Sequence, residues 1–204
     1  MKFIKWRSLF ITCIICLLPI LLGIALWNEL PDTMAIHFNL YNEADNFATK
    51  TFAVFGLPIL MSILQMISCF IYDINAYKHG KCKKFKRVIK WIVPFLSVVL
   101  QTITLGYALG WNMDIRKSVA LIIGVMFLIL GNYLPKLDYI NNYNVDTEKA
   151  RKINRFIGYE TVIMGALVLI TIFLPPVATG IWIVLLIPYA VVSVIYGIKI
   201  GRNN

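Results

Sequence analysis

Residues 30–50 read LPDTMAIHFNLYNEADNFATK, and this polar stretch follows an apolar run that is long enough to cross a membrane. Connections between helices usually take about 2–8 residues, so the segment is far longer than a link requires. It carries the rings of Phe38, Tyr41 and Phe47, which a merely solvated connector does not need. These rings predict a compact loop that packs on itself or inserts at the membrane interface, and we interpret it as the functional part of the protein.

The composition around this loop is that of an integral membrane protein. The 204 residues are 59% hydrophobic and 15% charged, with a mean hydropathy of +0.75, whereas a soluble domain is about half apolar and a quarter charged. The sequence predicts an all-α, polytopic fold, with one integral membrane domain over 1–204 and no soluble module. Six apolar runs can span a bilayer as helices, roughly 8–27, 51–72, 91–109, 118–134, 156–174 and 181–200.

The connections between these spans differ in length. One long outer loop is expected at 28–50, inner loops are expected at 73–90 and 135–155, and a tight turn is expected at 175–180. The chain starts like a signal peptide, with three basic residues before an apolar core. However, the apolar run is too long for a signal core and no small-x-small cleavage site follows it, so the first span is expected to remain as an anchor.

The basic residues predict the orientation. The net charge is +10, and seventeen of the twenty Lys and Arg residues fall at the termini and in the inner loops, against three on the other side: Lys50, Arg116 and Lys117. Cytoplasmic loops are the ones enriched in Lys and Arg, so both termini are predicted to lie inside. The excess charge is interpreted as a topology determinant and a contact with anionic lipid, at about 1 kcal/mol per near-surface cation, and no nucleic acid partner is expected. Docking of an acidic cytoplasmic protein on residues 74–90 is the alternative.

The cysteines predict no disulfide. Cys13, Cys16, Cys69 and Cys82 lie in apolar spans or on the predicted inner face. Cys13 and Cys16 form a CxxC inside the first span and share one helix face, and buried apolar cysteine is the favoured interpretation.

Two groups of residues, in this order along the chain, resemble a bacterial membrane family. The outer-loop motif comprises Leu30, Pro31, Asp32, His37, Phe38, Asn39, Asp45 and Lys50. The inner-face motif comprises Gly131, Asn132, Pro135, Lys136, Arg155 and Phe156. Together they are similar to the SdpI-type immunity family, which protects cells against secreted peptide toxins and in some members relays toxin presence to a cytoplasmic repressor. The resemblance implies a multi-pass protein of the bacterial cell membrane with a peptide toxin as outer partner, no cofactor and no enzymatic activity.

The chain departs from the family pattern at several positions. Ala35, Asn42 and Ala44 stand where the family has Pro, Gly and Pro. Asn tolerates a left-handed backbone, so the turn at Asn42 is expected to survive. Residues 137–146 have no counterpart of the family's Gly-Ile-Arg-Thr-Pro-Trp-Thr stretch, and Asn154 replaces the usual His. These changes weaken the case for inner-face signalling more than the case for an outer-face role.

His37 is the histidine of the outer loop, and three acids lie close to it in sequence: Asp32, Glu43 and Asp45. A metal site would need three or four such ligands, and no HExxH spacing is present. A pH sensor and a structural hydrogen bond to Asp32 or Asp45 are the alternatives, and we favour a structural and recognition role without metal. Asp32 is expected to accept backbone N–H groups and to start a short helical turn.

Polar residues within the spans have structural and functional interpretations. Pro135 predicts that the fourth helix ends near residue 133 or 134, where Asn132 would cap freed carbonyls or bridge to another span. Glu160 is an acid inside an apolar span, which makes it a functional candidate or a partner of Arg155. Interhelical hydrogen bonding suffices for Gln65 and Gln101.

Three classes of function are candidates for a membrane chain of this kind. A non-enzymatic immunity or receptor protein is favoured. A small-solute transporter or channel is the alternative, but the spans carry few polar residues and the prolines at 19, 58, 94 and 188 are interpreted as forming no paired pattern. A membrane enzyme would need a nucleophile–base pair or a metal motif, and the sequence supplies neither.

Overall fold

The computed structural model describes residues 4–79, 83–136 and 147–202. Within these ranges it contains six helices and a two-stranded sheet, with bounds α1 Trp6–Ala25, β1 Thr33–Phe38, β2 Ala44–Thr49, α2 Lys50–His79, α3 Lys83–Ala108, α4 Ile115–Tyr133, α5 Thr147–Ile170 and α6 Pro176–Arg202. All six helices are long and apolar enough to cross a membrane. The predicted all-α, six-span fold is therefore confirmed, while residues 80–82 and 137–146 of the predicted inner loops lie outside the described residues.

Prolines set two of the helix boundaries. Helix α4 ends at Tyr133 and passes into a 3-10 turn at Leu134–Lys136, as Pro135 predicts. The predicted tight turn at 175–180 is wrong, because α6 already begins at Pro176. A proline suits the first position of a helix, where its missing N–H has no intrahelical partner and its fixed φ is already helical.

A β-hairpin occupies most of the outer-loop sequence, and the sequence did not predict it. Its strands pair antiparallel from Thr33 with Thr49 to Phe38 with Ala44, with register irregularities on either side of His37. Asn42 in the turn has a φ of 66°, so the expected left-handed turn is confirmed. The helical turn expected at Asp32 is wrong, because strand pairing begins at the next residue.

The chain falls into two compact units, which we call unit 1 and unit 2. Unit 1 comprises Met1–Asn39 and Glu43–Met113, with α1, α2, α3 and both strands. Unit 2 comprises Leu40–Asn42 and Asp114–Asn204, with the hairpin turn, α4, α5 and α6. The single membrane domain over 1–204 stays a prediction.

Two glutamines of unit 1 complete helices that prolines interrupt. Pro94 has no N–H, so the carbonyl of Lys90 lacks its intrahelical donor, and Gln65 Nε2 from α2 donates to it at 2.9 Å. Pro58 leaves the carbonyl of Val54 without a donor in the same way. Gln101 Nε2 from α3 lies 3.4 Å from that oxygen and 3.0 Å from the carbonyl of the preceding Ala53.

The two helices thus repeat one motif, a proline followed seven residues later by a glutamine, at Pro58–Gln65 and Pro94–Gln101. Each glutamine caps the gap in the other helix, which is how proline is tolerated within a span. The expected interhelical bonds of Gln65 and Gln101 are confirmed. The interpretation that the prolines form no paired pattern stays a prediction, and the repeat found here lies in the Pro–Gln spacing of α2 and α3.

Helices α4 and α5 of unit 2 pack through glycines. A Cβ at Gly131 would lie 2.7 Å from the carbonyl oxygen of Gly158, and a Cβ at Gly165 would lie 2.9 Å from that of Gly124. Each helix carries its two glycines seven residues apart, which places them on one face. Small residues allow such close approach of spans, so Gly131 of the inner-face motif packs helices together.

Candidate functional site

Lys50 ties down the base of the hairpin. Its side chain is 15% exposed, and its Nζ donates to the carbonyls of Leu30 at 3.1 Å and Trp27 at 3.3 Å. Nζ also lies 3.3 Å from Asp32 Oδ1 and 5.1 Å from the centre of the Trp27 ring. The backbone N–H of Lys50 donates to the carbonyl of Asp32 at 2.8 Å. One lysine therefore joins the chain entering the hairpin to the chain leaving it.

Apolar contacts seat the hairpin on the helices of unit 1. Leu30 and Met34 are 4% and 1% exposed and pack in one cluster with Val54 of α2 and Leu105 of α3. The Phe38 ring meets Tyr107 edge-on, with centroids 4.6 Å apart. The hairpin packs on itself, through its strand pairing, and on α2 and α3 as well.

Polar side chains link the two strands near the turn. His37 Nδ1 lies 2.5 Å from Asp45 Oδ1, so of the two predicted hydrogen-bond partners the structure selects Asp45. Asn39 Nδ2 donates to Glu43 Oε2 at 2.8 Å, and the Glu43 N–H donates to Asn39 Oδ1 at 3.0 Å. Among the described residues no group of three or more His, Cys, Asp or Glu is placed to hold a metal ion.

The hairpin turn caps a helix of unit 2. Asn42 Oδ1 accepts from the N–H of Ile115 at 2.7 Å, and Asp114 Oδ1 accepts from that of Lys117 at 3.0 Å. Two N–H groups that a helix start leaves without intrahelical partners are satisfied in this way. Asn42 therefore has two roles: it adopts the left-handed backbone of the turn, and its side chain caps the start of α4. Tolerance of positive φ predicted only the first of them.

The strands of unit 1 and their flanks present an acidic, partly apolar surface. Ile36 and Phe47 are 42% and 57% exposed. The side chain of Asp32 is 99% exposed, whereas the cation beside it, Lys50, is mostly covered. The exposed acids of this surface are Glu29, Asp32, Glu43 and Asp45. We call these four acids, with Ile36 and Phe47, the acidic hairpin surface.

Part of the inner-face motif is engaged in packing within unit 2. Asn132 Oδ1 accepts from Lys136 Nζ at 3.1 Å, a bond within its own chain segment. It is not the bridge to another span, which was one of the two predicted roles of Asn132, the other being a cap for freed carbonyls. A Cβ at Gly158 would lie 2.6 Å from the Pro135 ring. Phe156 stacks on Tyr196 of α6 with centroids 3.9 Å apart. Arg155 is exposed on α5.

Glu160 joins α5 to α6. Its Oε2 accepts from Ser193 Oγ at 2.7 Å, which replaces the ion pair with Arg155 that the spacing suggested. One residue further, Thr161 Oγ1 and Tyr189 Oη lie 2.8 Å apart. These polar contacts hold the two helices together inside apolar surroundings.

Sequence reasoning missed a buried ion pair in unit 1. Lys90 Nζ of α3 and Asp73 Oδ2 of α2 lie 2.8 Å apart, with side chains 3% and 1% exposed. The backbone N–H of Lys5, before α1, donates to the same carboxylate oxygen at 3.1 Å. Both residues fall within the predicted inner loop at 73–90. The sequence did offer one signal for this pair: an acid follows the second apolar run and a base precedes the third, and the two ends lie on the same side of the membrane.

Arg116 of unit 2 was also missed, having been counted only as a topology charge. Its side chain is 9% exposed and donates to Thr179 Oγ1 at 3.1 Å and to the carbonyl of Leu174 at 3.4 Å. Its guanidinium lies 3.3 Å from Asp114 Oδ2. Arg116 thus binds the start of α4 to the start of α6.

Three cysteines of the spans, Cys13, Cys16 and Cys69, are free. Cys16 and Cys69 are buried and Cys13 is half-buried, as expected for cysteines in apolar spans. Cys82 lies outside the described residues.

Six apolar helices and a seated hairpin define a polytopic α-helical membrane protein. A family model described as "Domain of unknown function (DUF1648)" matches residues 14–62, which run from α1 through the hairpin into α2. The chain is 24% identical over 183 residues to "Immunity protein SdpI" of Bacillus subtilis (strain 168), covering 86% of this chain and 84% of that protein. No solved structure matches the chain. The resemblance to the SdpI-type family is confirmed, and the chain is a multi-pass protein of the bacterial cell membrane.

Proposed function

We propose that this chain is a membrane immunity protein that protects its cell against a secreted peptide toxin. The hairpin is the part that meets the toxin or shields the toxin's target. The observation that carries the proposal is the anchored hairpin itself: Lys50 closes it, and it lies within residues 14–62, the range that the family model covers. The similarity to a protein named for immunity supplies the class of function.

The proposal places the hairpin outside the cell. Its support is the distribution of basic residues, because seventeen of twenty lie on the side that also carries both termini. In this orientation the hairpin meets a secreted peptide before the peptide reaches the spans.

The partner that suits the acidic hairpin surface is a basic peptide with apolar side chains. Four exposed carboxylates attract a cationic partner and speed its encounter with the surface. Ile36 and Phe47 offer apolar contacts beside them. Lys50, the cation of the hairpin base, is turned inward to backbone carbonyls and opposes this field less than an exposed lysine would.

Protection is proposed to need no catalysis by this chain. His37, the histidine of the hairpin, contacts a carboxylate rather than a hydroxyl or thiol. Nucleophilic catalysis needs a nucleophile within hydrogen-bond reach of its base, and in the part of the chain that the structure describes no hydroxyl or thiol is hydrogen-bonded to His37. The chain would then act by binding or by shielding.

Relay of toxin presence to a cytoplasmic repressor is the finer part of the proposal. Its support is the basic inner face, where Arg155 and Lys152 are exposed at the start of α5 and can meet an acidic partner or anionic lipid. Gly131, Pro135 and Phe156 of the inner-face motif are engaged in helix packing, whereas Arg155 is exposed, which makes this part of the proposal separable from protection.

A small-solute transporter or channel is the second candidate, and the repeated Pro–Gln motif of α2 and α3 favours it. Transporters often place interrupted helices from paired repeats around a site near the membrane midplane. The buried polar side chains of unit 1 have that character, and they comprise Thr12, Gln65, Asp73, Lys90, Ser97 and Gln101.

One experiment separates the two candidates. Expression of the chain in a sensitive bacterium should raise survival under a cognate membrane-active peptide and leave the amount of peptide in the medium unchanged. Expression-dependent cleavage of the peptide would overturn the non-catalytic proposal. Uptake or efflux of a small solute in the same cells, without a gain in survival, would favour the transporter.

A further inference from the structure

An open groove lies in unit 2, between the turn of the hairpin and the first part of α6. Its volume is about 510 Å³, which falls in the range of about 300–1,000 Å³ that is typical of small-molecule sites. Leu40 and Tyr41 line it from the turn. The residues that line it from α6 share one helix face, and they comprise Val177, Gly180, Ile181, Val184 and Leu185.

Contacts within unit 2 hold both walls of the groove in place. A Cβ at Gly180 would lie 3.1 Å from Leu40 Cδ1, so Leu40 packs on the part of α6 that has no side chain. Asn42 of the turn accepts from the N–H of the first residue of α4 at 2.7 Å. Arg116, the second residue of α4, donates to Thr179 of α6 at 3.1 Å. The turn and the start of α6 are thus both attached to the start of α4, and the groove is formed before any ligand enters it.

The lining of the groove suits hydrocarbon. Tyr41 supplies the polar side-chain group among its lining residues, and the others are aliphatic or glycine. A charged or polar ligand needs a few placed polar partners, and water does not settle in an apolar cavity. Tyrosine rings are common at the level of the lipid headgroups, and the Tyr41 side chain is 65% exposed at the groove.

The groove opens on a surface that faces lipid, because α6 is one of the six spans. From Val177 to Leu185 the wall covers about 12 Å of helix. One leaflet of a hydrocarbon core of about 30 Å has a depth of about 15 Å, so the groove matches one leaflet in length. Exposed apolar side chains continue along α6 beyond the groove, at Ile187, Val191 and Val194. The groove is therefore continuous with the lipid-facing surface of this span.

We propose that this groove binds one acyl chain of a membrane phospholipid, in the leaflet on the hairpin side. The chain lies along α6 and under the turn, so that the bound lipid holds the turn of the hairpin against the membrane. The site recognises the hydrocarbon chain rather than the headgroup, since its walls offer no charged group. A second copy of the chain and an apolar segment of a peptide are the other occupants that the test separates.

The test uses the full chain in vesicles of phosphatidylethanolamine and phosphatidylglycerol, with a small fraction of phospholipid that carries a diazirine in one acyl chain. After illumination, mass spectrometry of proteolytic fragments locates the lipid adducts. Adducts at Tyr41 and Val184 should be several-fold more frequent than at Ile183. Ile183 neighbours Val184 on α6 and is 47% exposed but does not line the groove, so it reports the ordinary lipid surroundings. Equal frequencies at the three positions overturn the proposal.

Two tryptophan variants give a second readout. Val184→Trp places a large ring in the groove at a position that is 65% exposed, and it should lower the adducts at Tyr41 several-fold. Ile183→Trp is the matched control, and it should leave the adducts at Tyr41 unchanged. Equal loss in both variants, or no loss in Val184→Trp, overturns the proposal. If Val184→Trp fails to fold, the distribution of adducts in the wild-type chain decides.

The other two occupants give different results. If a second copy covers the groove, adducts at Tyr41 should disappear as the protein-to-lipid ratio rises, while adducts at Ile183 persist. If the groove is shaped for a peptide and not for lipid, adducts at Tyr41 in vesicles without peptide should be no more frequent than at Ile183. Either result overturns the proposal.

Discussion

The ammonium of Lys50, the first residue of α2, donates to the carbonyl of Leu30, the residue that precedes the hairpin's Pro31, at 3.1 Å. This bond joins two residues that are twenty positions apart and makes the hairpin an extension of the helix that follows it. The outer-loop motif begins at Leu30 and ends at Lys50. The first and last residues on which the resemblance of this motif to the SdpI-type family rests are therefore hydrogen-bonded to each other.

Lys50→Met should loosen the hairpin while leaving the chain inserted. The methionine keeps an unbranched side chain and removes a charged donor whose hydrogen bonds are each worth about 1.5–3 kcal/mol. The measurement is protease cleavage of the hairpin in intact cells, together with protection at matched membrane abundance. Cleavage should rise and protection should fall.

Asp32→Asn is the matched control for that change. The Asp32 side chain is 99% exposed, and exposed ion pairs contribute little. Hairpin cleavage in this variant should resemble wild type. Equal damage from both substitutions would show that the ion pair, and not the bonds from Lys50 to the carbonyls, holds the hairpin.

Gly131→Ala should destabilise unit 2. The new Cβ would lie 2.7 Å from backbone atoms of α5, which cannot move aside as a side chain can. Overpacking of this kind costs about 1–3 kcal/mol. Gly197→Ala is the control, since a Cβ there meets nothing within 4 Å. Thermal unfolding in detergent should show a lower midpoint for Gly131→Ala alone, and equal midpoints would refute the packing role.

Removing either partner of the buried ion pair of Asp73 and Lys90 should lower the stability of the folded chain. Removing one partner leaves an uncompensated buried charge, at about 3–5 kcal/mol. Asp73→Asn and Lys90→Met should each lower the unfolding midpoint, and the double variant should recover part of the loss. Additive losses in the double variant would mean that the two groups are not coupled.

The parts of this fold that were predicted from sequence depend on local chemistry. The spans follow from apolar length, the end of α4 from Pro135, and the left-handed turn from Asn42. The start of α6 at Pro176 also follows from local chemistry, because proline suits the first position of a helix. The pair Pro175-Pro176 nevertheless led to the prediction of a turn.

The parts that were missed depend on tertiary contacts. Strand β1, TMAIHF, lacks a regular alternation, and irregular register on either side of His37 hides its period of two. Asp73 and Lys90 are seventeen residues apart and meet only because α2 and α3 pack together. Gln65 and Gln101 were assigned hydrogen bonds correctly, yet their reciprocal partners became visible only when the helices were paired.

The orientation of the chain can be measured by labelling. Phe47→Cys places a thiol at a hairpin position that is 57% exposed. A membrane-impermeant maleimide should label this cysteine in intact cells and should label native Cys82 only after the cells are opened. Labelling of Cys82 in intact cells would invert the predicted topology.

The central claim is that the hairpin protects the cell, and the most direct measurement is survival under peptide challenge. Sensitive cells should carry wild-type chain or a chain with His37→Ala and Asp45→Ala, at equal membrane abundance. The two substitutions remove the contact that joins the strands at 2.5 Å without touching the spans that decide insertion. The account predicts that wild type protects and that the double variant loses most of this protection. Full protection by the double variant would contradict it.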